Sequence, residues 1–368
     1  MASRRDGLRV GAAVVGAVAV LAVVGRITSL QEPASRSQPA PTTTPAPTTT
    51  PAPTTTSAPA RQLPLPERWA TAQIEVGHGG GPLVFGAGSL WVGAWQDGQV
   101  ARVDPGSNRV VARFPAGGQN PAGLAVGAGT MWVTHPDTDE VVRLDPATGR
   151  VVARIKLDPL PFQVAPGDRR FLPSWVAVGA GAGWVATARG AVARIDAASN
   201  RVVAVIKIPP GTPAGIAVAG GSVWVAAGGD GVVRIETATN RLRRTIRLDL
   251  YAERVVVGGG AIWVGGPTTD PIVEMAGAVA RIDAATGRIR DIVPTGLPVG
   301  LAAAAGAVLV TEPDTVGGRL ECIDPERLPA GMNLEPALGE LAVGGGAVWV
   351  ADRRGSLVYR LDPDRLPC

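Results

Sequence analysis

Apolar residues along this chain come in short runs of Val, Ile, Leu and Ala, each closed by Gly, Pro, Asn or Asp. From Ala70 onward, no stretch carries the 3.6-residue period of an amphipathic helix, so the runs predict strands. One pattern recurs: a small-residue strand, a glycine turn, then a hydrophobic pair usually written Trp-Val. It reads GAGSLWV (86–92), GAGTMWV (127–133), GAGAGWV (179–185), AGGSVWV (219–225), GGGAIWV (258–264) and GGGAVWV (344–350); AAGAVLV (304–310) places Leu309 at the Trp position. Key residues 91, 132, 184, 224, 263, 309 and 349 are separated by 41, 52, 40, 39, 46 and 40. Each unit holds four extended runs, in the second unit Gly123–Val126, Met131–Thr134, Val141–Leu144 and Arg150–Ile155. Four strands per repeat of about 40 residues are the pattern of a β-propeller blade.

The last unit supplies three strands, Leu341–Val343, Ala347–Ala351 and Leu357–Leu361, before the sequence stops. Ala70–Val76 (ATAQIEV) stands alone upstream of the first unit. Pairing it into the last blade joins the two ends and removes a free sheet edge. The expected fold is all-β, a seven-bladed propeller closed by an N-terminal strand in the last blade.

Between the third and fourth runs lies a fixed turn: RVDPGSNR (102–109), RLDPATGR (143–150), RIDAASNR (194–201), RIETATNR (234–241) and RIDAATGR (281–288). The acid and the Ser or Thr hydroxyl can hydrogen-bond turn N–H groups, and Asn or Gly accepts a left-handed backbone. These acids therefore cap turns. The Arg two residues earlier shares the acid's side of the strand and is expected to pair with acids of the neighbouring blade. The repeated Trp is expected to pack between blades.

Ahead of the repeats the pattern changes. Arg4, Arg5 and Arg9 precede sixteen residues, Val10–Gly25, drawn only from Val, Ala, Gly and Leu, and Arg26 follows. This is an export-signal layout, shorter than the roughly 20 residues of a spanning helix. An uncleaved anchor with the N-terminus inside is expected, a cleaved signal being the alternative. Pro39–Ala60 repeats PAPTTT, which cannot enter a sheet or helix and forms an extended, solvated stalk, plain or O-glycosylated. The domains are thus a leader and hydrophobic helix (1–30), a disordered Pro/Thr-rich linker (31–68) and the propeller (69–368). The localisation expected is a single-pass cell-membrane protein with the propeller outside, or a secreted one.

Net charge is +4, all of it within residues 1–68; residues 69–368 are neutral. A neutral body argues against nucleic-acid binding, which needs phosphate neutralisation. With 49 Gly, 33 Pro and two Cys, composition excludes a coiled coil, a disulfide-dense scaffold and a polytopic membrane protein. The glycine-rich segments precede strands, so they are turns and not phosphate loops.

Two insertions interrupt the repeat, Asp158–Ser174 between the second and third units and Gly266–Gly277 within the fifth. Propeller topology brings both to one rim, where long loops mark a binding surface. Candidates there are Trp95, Asp97, His135, Asp137, Asp139, Arg169, Arg170, Phe171, Trp175, Asp270, Glu274, Glu312, Asp314, Arg353 and Arg354. Arginines, acids and a few aromatics in one region suit a polar ligand or protein partner. No catalytic set, cofactor or metal site is assigned. Cys322 takes the place of the repeated Arg in the sixth unit and Cys368 is terminal; an exported protein allows a disulfide between them, and a free buried Cys322 is equally ordinary.

The GxxWV repeat with its R-hydrophobic-D turn ending TGR or SNR resembles the YVTN and NHL-type propellers over roughly residues 69–368. That resemblance implies the ring fold and leaves the activity open. Streptogramin lyases, similar in blade pattern, use His with an acidic partner and a divalent metal on one face; here only His78 and His135 exist. The expectation is a non-enzymatic, monomeric binding module for a protein or glycan at the cell envelope. The alternative is a metal-dependent lyase or lactone hydrolase of the streptogramin-lyase or gluconolactonase-like type.

Overall fold

The computed structural model describes residues 70–157, 161, 171–208, 211–269, 276–304, 306–313, 317–325, 327, 329–334, 337–353, 356–366 and 368. All lie within the compact unit Gln62–Cys368. The leader and the Pro/Thr stretch fall outside the described residues.

Twenty-eight strands form seven four-stranded antiparallel sheets. Six are built from consecutive strands; the seventh runs Leu338–Gly344, Ala347–Asp352, Leu357–Leu361 and then Ala70–Glu75. That closing strand pairs with Leu357–Leu361, Glu75 opposite Leu357 and Gln73 opposite Tyr359. The first strands of successive blades touch one another all round, the first blade's against the seventh's included, so they line the axis of a sealed ring. The expected seven-bladed architecture and its N-terminal closure are present. Among the described residues helix is confined to one 3-10 turn, Pro363–Arg365. Among the described residues no helix is long and apolar enough to cross a membrane.

Local chemistry explains the blade. In blades one to five and seven the first hairpin turns on two residues with positive φ, Ala87 and Gly88 in blade one, Gly220 and Gly221 in blade four, the pair that a two-residue hairpin of matching twist demands. Blades one to three put Ala87, Ala128 and Ala180 at the first of these positions, against their steric preference. The later turn follows its motif: Asp145 accepts from the Thr148 N–H at 2.8 Å and its hydroxyl at 3.0 Å, and Asn200 and Gly149 adopt φ of 57° and 68°.

The core is divided into seven apolar clusters, each spanning two neighbouring blades. Trp91, Trp132, Trp184, Trp224, Trp263 and Trp349 are fully buried, one per cluster, and Leu309 takes the place between blades six and seven. An aromatic of this size buries about 150–250 Å², roughly 4–6 kcal/mol of apolar transfer at about 25 cal/mol per Å².

The repeated Arg behaves differently from expectation. Its guanidinium stacks on its own blade's Trp, Arg143 lying 4.4 Å from the Trp132 ring centre, and in blades two to four it reaches into the next blade's turn. Arg143 donates to the Ala197 carbonyl and Asn200 Oδ1; Arg194 donates to the Thr237 carbonyl at 3.0 Å and Asn240 Oδ1 at 2.8 Å. For these two the partner is an amide and a carbonyl, the turn acid being engaged by its own Ser or Thr, whereas Arg281 pairs with Asp291 of its own blade at 3.7 Å. Where the turn ends in Gly287 in place of Asn, Arg234 reaches only the Ala285 carbonyl of the next blade, at 3.3 Å, beside its own Ser222 Oγ at 2.9 Å. At the repeat positions blade six has neither Trp nor Arg: Leu309 sits opposite Cys322, and Cys322 is joined to Cys368 by a disulfide with Cα atoms 5.4 Å apart.

Candidate functional site

Propeller links alternate between two faces. The hairpin turns and the Asp-capped turns occupy one and are nearly uniform. The other carries the second-to-third-strand links and the inter-blade links, where the repeat is broken. At its centre is the channel mouth, formed by the opening residues of the seven first strands.

Counting back four residues from the small residue that ends each first strand gives Pro82, Gly123, Trp175, Gly215, Arg254, Gly300 and Glu340. Blades two, four and six are held to glycine by close approach. A Cβ on Gly123 would lie 2.5 Å from the Ser174 carbonyl oxygen, and on Gly300 2.6 Å from that of Gly339. Blades three, five and seven carry the large side chains, and these meet. The Arg254 guanidinium lies 4.8 Å from the Trp175 ring centre, and its Nη2 is 3.1 Å from Glu340 Oε1. Its Nε donates to the Val299 carbonyl at 3.1 Å. An aromatic face, a cation and an anion from alternate blades are thereby locked together at the mouth, with Arg254 and Glu340 side chains about a quarter exposed. Trp175 was legible as a Trp outside the repeat; Arg254 and Glu340 emerge only when the first strands are aligned.

Around the mouth, the rim candidates take distinct places. Trp95 is 41% exposed, its indole packed over Gly79. Asp97 accepts from the His78 N–H at 2.8 Å and faces the ring Nδ1 at 3.3 Å; the His78 backbone hydrogen bond, above all, holds its carboxyl below the usual range. This pair fastens the link between the closing strand and blade one. Asp137 accepts from Asn120 Nδ2 at 3.2 Å, and Asp139, at φ 53°, accepts the Leu172 N–H at 2.8 Å, anchoring the blade-three entry. Arg353 is exposed on the rim, its N–H donating to the Ala337 carbonyl. Arg169, Arg170, Asp270, Glu274, Asp314 and Arg354 lie outside the described residues.

Three candidates, His135, Phe171 and Glu312, are inside instead of on the rim. His135 is fully buried, with Nδ1 2.8 Å from the Gln119 carbonyl and Nε2 3.0 Å from that of Ala116. Both nitrogens face carbonyls of the incoming inter-blade link, so neither is open toward a metal. Phe171 is buried in the cluster between blades two and three. The pattern placed these and Glu312 near the rim because it fixes position along a strand, not the direction in which the side chain turns.

Glu312 occupies in blade six the position of His135 in blade two, three residues after the key Trp or Leu. It is 5% exposed and accepts the Gly296 N–H at 2.9 Å. Burial, and then the Glu321 carboxylate, push its carboxyl up to about 7. Among the described residues no group of three or more His, Cys, Asp or Glu could hold a metal ion.

No protein-family model and no curated protein sequence matches the chain. Solved structures match its fold. The streptogramin B lyase structure superposes with a TM-score of 0.61 at 18% identity, over 77% of this chain and 93% of that one. BamB from Moraxella catarrhalis gives 0.51 at 13% identity, over 77% and 82%. A chain of the Mitotic Checkpoint Complex gives 0.65 at 12% identity, over 85% and 99%. The chain is a seven-bladed β-propeller, in keeping with its YVTN/NHL-type blade pattern. At these identities the likeness extends to the fold alone.

Proposed function

We propose that this protein is an exported propeller, tethered to the membrane by its leader and stalk, that acts as a non-enzymatic binding module at the cell surface. A protein or glycan partner is held on the face that bears the channel mouth. The observation carrying this reading is the broken repeat at the mouth: glycine in three blades and Trp175, Arg254 and Glu340 in alternate blades, beside exposed Trp95. On the opposite face five blades carry near-identical capped turns. Tryptophan and arginine at a partly desolvated centre are the residue types on which protein contacts concentrate their energy. Membership of one neighbouring ring in the Mitotic Checkpoint Complex is in line with such a use of the fold.

The second reading, a metal-dependent lyase or lactone hydrolase, draws on the likeness to streptogramin B lyase. Two features weigh against it. A guanidinium at the mouth opposes a divalent cation there, and His135 is consumed by backbone carbonyls. Titration calorimetry of the full chain with Mn²⁺ separates the readings: stoichiometric binding lost on substitution of rim acids favours the enzyme.

The binding reading is tested with a photo-crosslinking residue at Trp95 or Arg353 in the full-length chain in its own cells, and at Val203 on the outer edge as control. A discrete adduct from the first two positions, lost in W175A/R254A/E340A and not formed from Val203, is expected. Equal labelling from all three positions overturns the assignment of this face.

A further inference from the structure

Away from the mouth, on the outer edge, a cleft of about 530 Å³ opens between blades four and five. Its walls are the fourth strand of blade four (Leu242–Ile246) with Arg247, and the capped turn of blade five at Gly287–Ile289. Arg244, Arg247 and Arg288 line it together with Thr245, and no acid does.

The charge inventory nearby explains why these three remain uncompensated. The two turn acids that could neutralise them are spent on other arginines. Glu236 is bound by Arg243 and by the Thr239 hydroxyl. Asp283 is bound by Arg290 at 2.7 Å and by Thr286. The Arg290 hydrogen bond, first, and the Thr286 contacts hold the Asp283 carboxyl far below the usual range, so it stays an occupied anion. Arg244 reaches only the Thr286 carbonyl, at a long 3.4 Å. Among the described residues the Arg247 and Arg288 guanidiniums have no hydrogen-bond or ion-pair partner.

Three like charges gathered on one concavity repel each other, and a bound anion relieves that repulsion. Each guanidinium presents paired N–H donors whose geometry matches a tetrahedral oxyanion. The cleft exceeds the volume of a bare ion and falls within the roughly 300–1,000 Å³ of small-ligand sites. Its apolar lining is Ile246 and Ile289, the latter 41% exposed. We propose that the blade four–five cleft is a binding site for a phosphate or sulfate group carried on a small molecule or sugar, gripped by Arg244, Arg247 and Arg288. The neutral charge of residues 69–368 confines this to a local site and does not extend it to a nucleic-acid track.

The test is calorimetry on the full-length chain with inorganic phosphate, inorganic sulfate, glucose 6-sulfate and glucose, comparing wild type, R247A/R288A and a control, R201A, on the outer strand of blade three. Saturable binding of at least one anion is expected, weakened roughly tenfold or more in R247A/R288A (about 1.4 kcal/mol), unchanged in R201A, and absent with glucose. Preference for glucose 6-sulfate over the inorganic ions identifies a carried group; equal affinity identifies the bare oxyanion. A wild-type readout accompanies it: the anion should protect Arg247 and Arg288 from phenylglyoxal. No saturable anion binding, equal binding by the double variant, or unprotected arginines would overturn the proposal.

Discussion

Arg143 is the clearest place to ask how seven separate sheets become one ring. It is 4% exposed and ties three things together: its own Trp132 by stacking, its own hairpin through Thr130 Oγ1 at 3.0 Å, and blade three through the Ala197 carbonyl and Asn200 Oδ1. Burial draws its pKa below the ordinary arginine value, a desolvation cost that these bonds offset. Arg143→Met keeps most of the aliphatic volume and removes the guanidinium. The loss comprises two hydrogen bonds to the next blade at about 1.5–3 kcal/mol each for a charged donor, and a cation–π contact of roughly 1–2 kcal/mol. Recovered desolvation subtracts several kcal/mol, leaving a net loss of about 2–4 kcal/mol. Asn200→Gly preserves the left-handed turn conformation and deletes only the amide. Urea unfolding of the two single variants and the double should give a coupling of about 1–2 kcal/mol. At blade one the following turn ends in Gly149, and Arg102 makes its hydrogen bond within its own blade, to Ser89 Oγ at 2.9 Å, so Arg102→Met should cost distinctly less. A coupling below about 0.5 kcal/mol, or equal losses for Arg102 and Arg143, would refute the idea that these arginines fasten blade to blade.

Three shorter predictions follow from other features. Reducing Cys322–Cys368, which encloses 46 residues, should cost about 4 kcal/mol on a chain-entropy estimate, read as a lower urea midpoint with dithiothreitol; the C322S variant should show no further response to reductant. Glu312 titrates near 7 in the folded chain and near 4.5 unfolded, so its contribution is fully present below about pH 4.5 and is lost as pH rises through 7, by up to roughly 3 kcal/mol; Glu312→Gln should flatten that limb, and an unchanged pH profile would exclude Glu312 as its source. Replacing Ala128, at φ 51°, by Gly should raise stability by about 1 kcal/mol, with A186G, in a strand interior, as the opposite-signed control.

The ring was legible in the sequence because a blade is a local object: two kinds of turn with demanding chemistry, and one large residue at a fixed step. Even the closure could be read, since a strand without a partner at one end matched a sheet lacking one at the other. What the chain pattern did not reveal was direction and reach. His135 sits in a rim-like HPDTD segment yet turns inward, because the inter-blade link presents two carbonyls to it. Arg143 and Arg194 reach the Asn of the next blade's turn in place of its acid, because that Asn stands at the left-handed position and turns its amide toward the neighbouring blade. Arg254 and Glu340 are 86 residues apart and meet only because blades five and seven face a common axis. Long-range convergence of this kind leaves no local trace.

Every assignment of a face depends on the ring being sealed by Ala70–Glu75. Hydrogen exchange on the full-length chain tests this directly. Peptides covering Ala70–Glu75 should be protected to the same degree as Leu357–Leu361, the strand they pair with, and should lose protection together with it as urea is added. Exchange of 70–75 at the rate of an unstructured peptide, with Leu357–Leu361 still protected, would contradict the closed ring and the two faces derived from it.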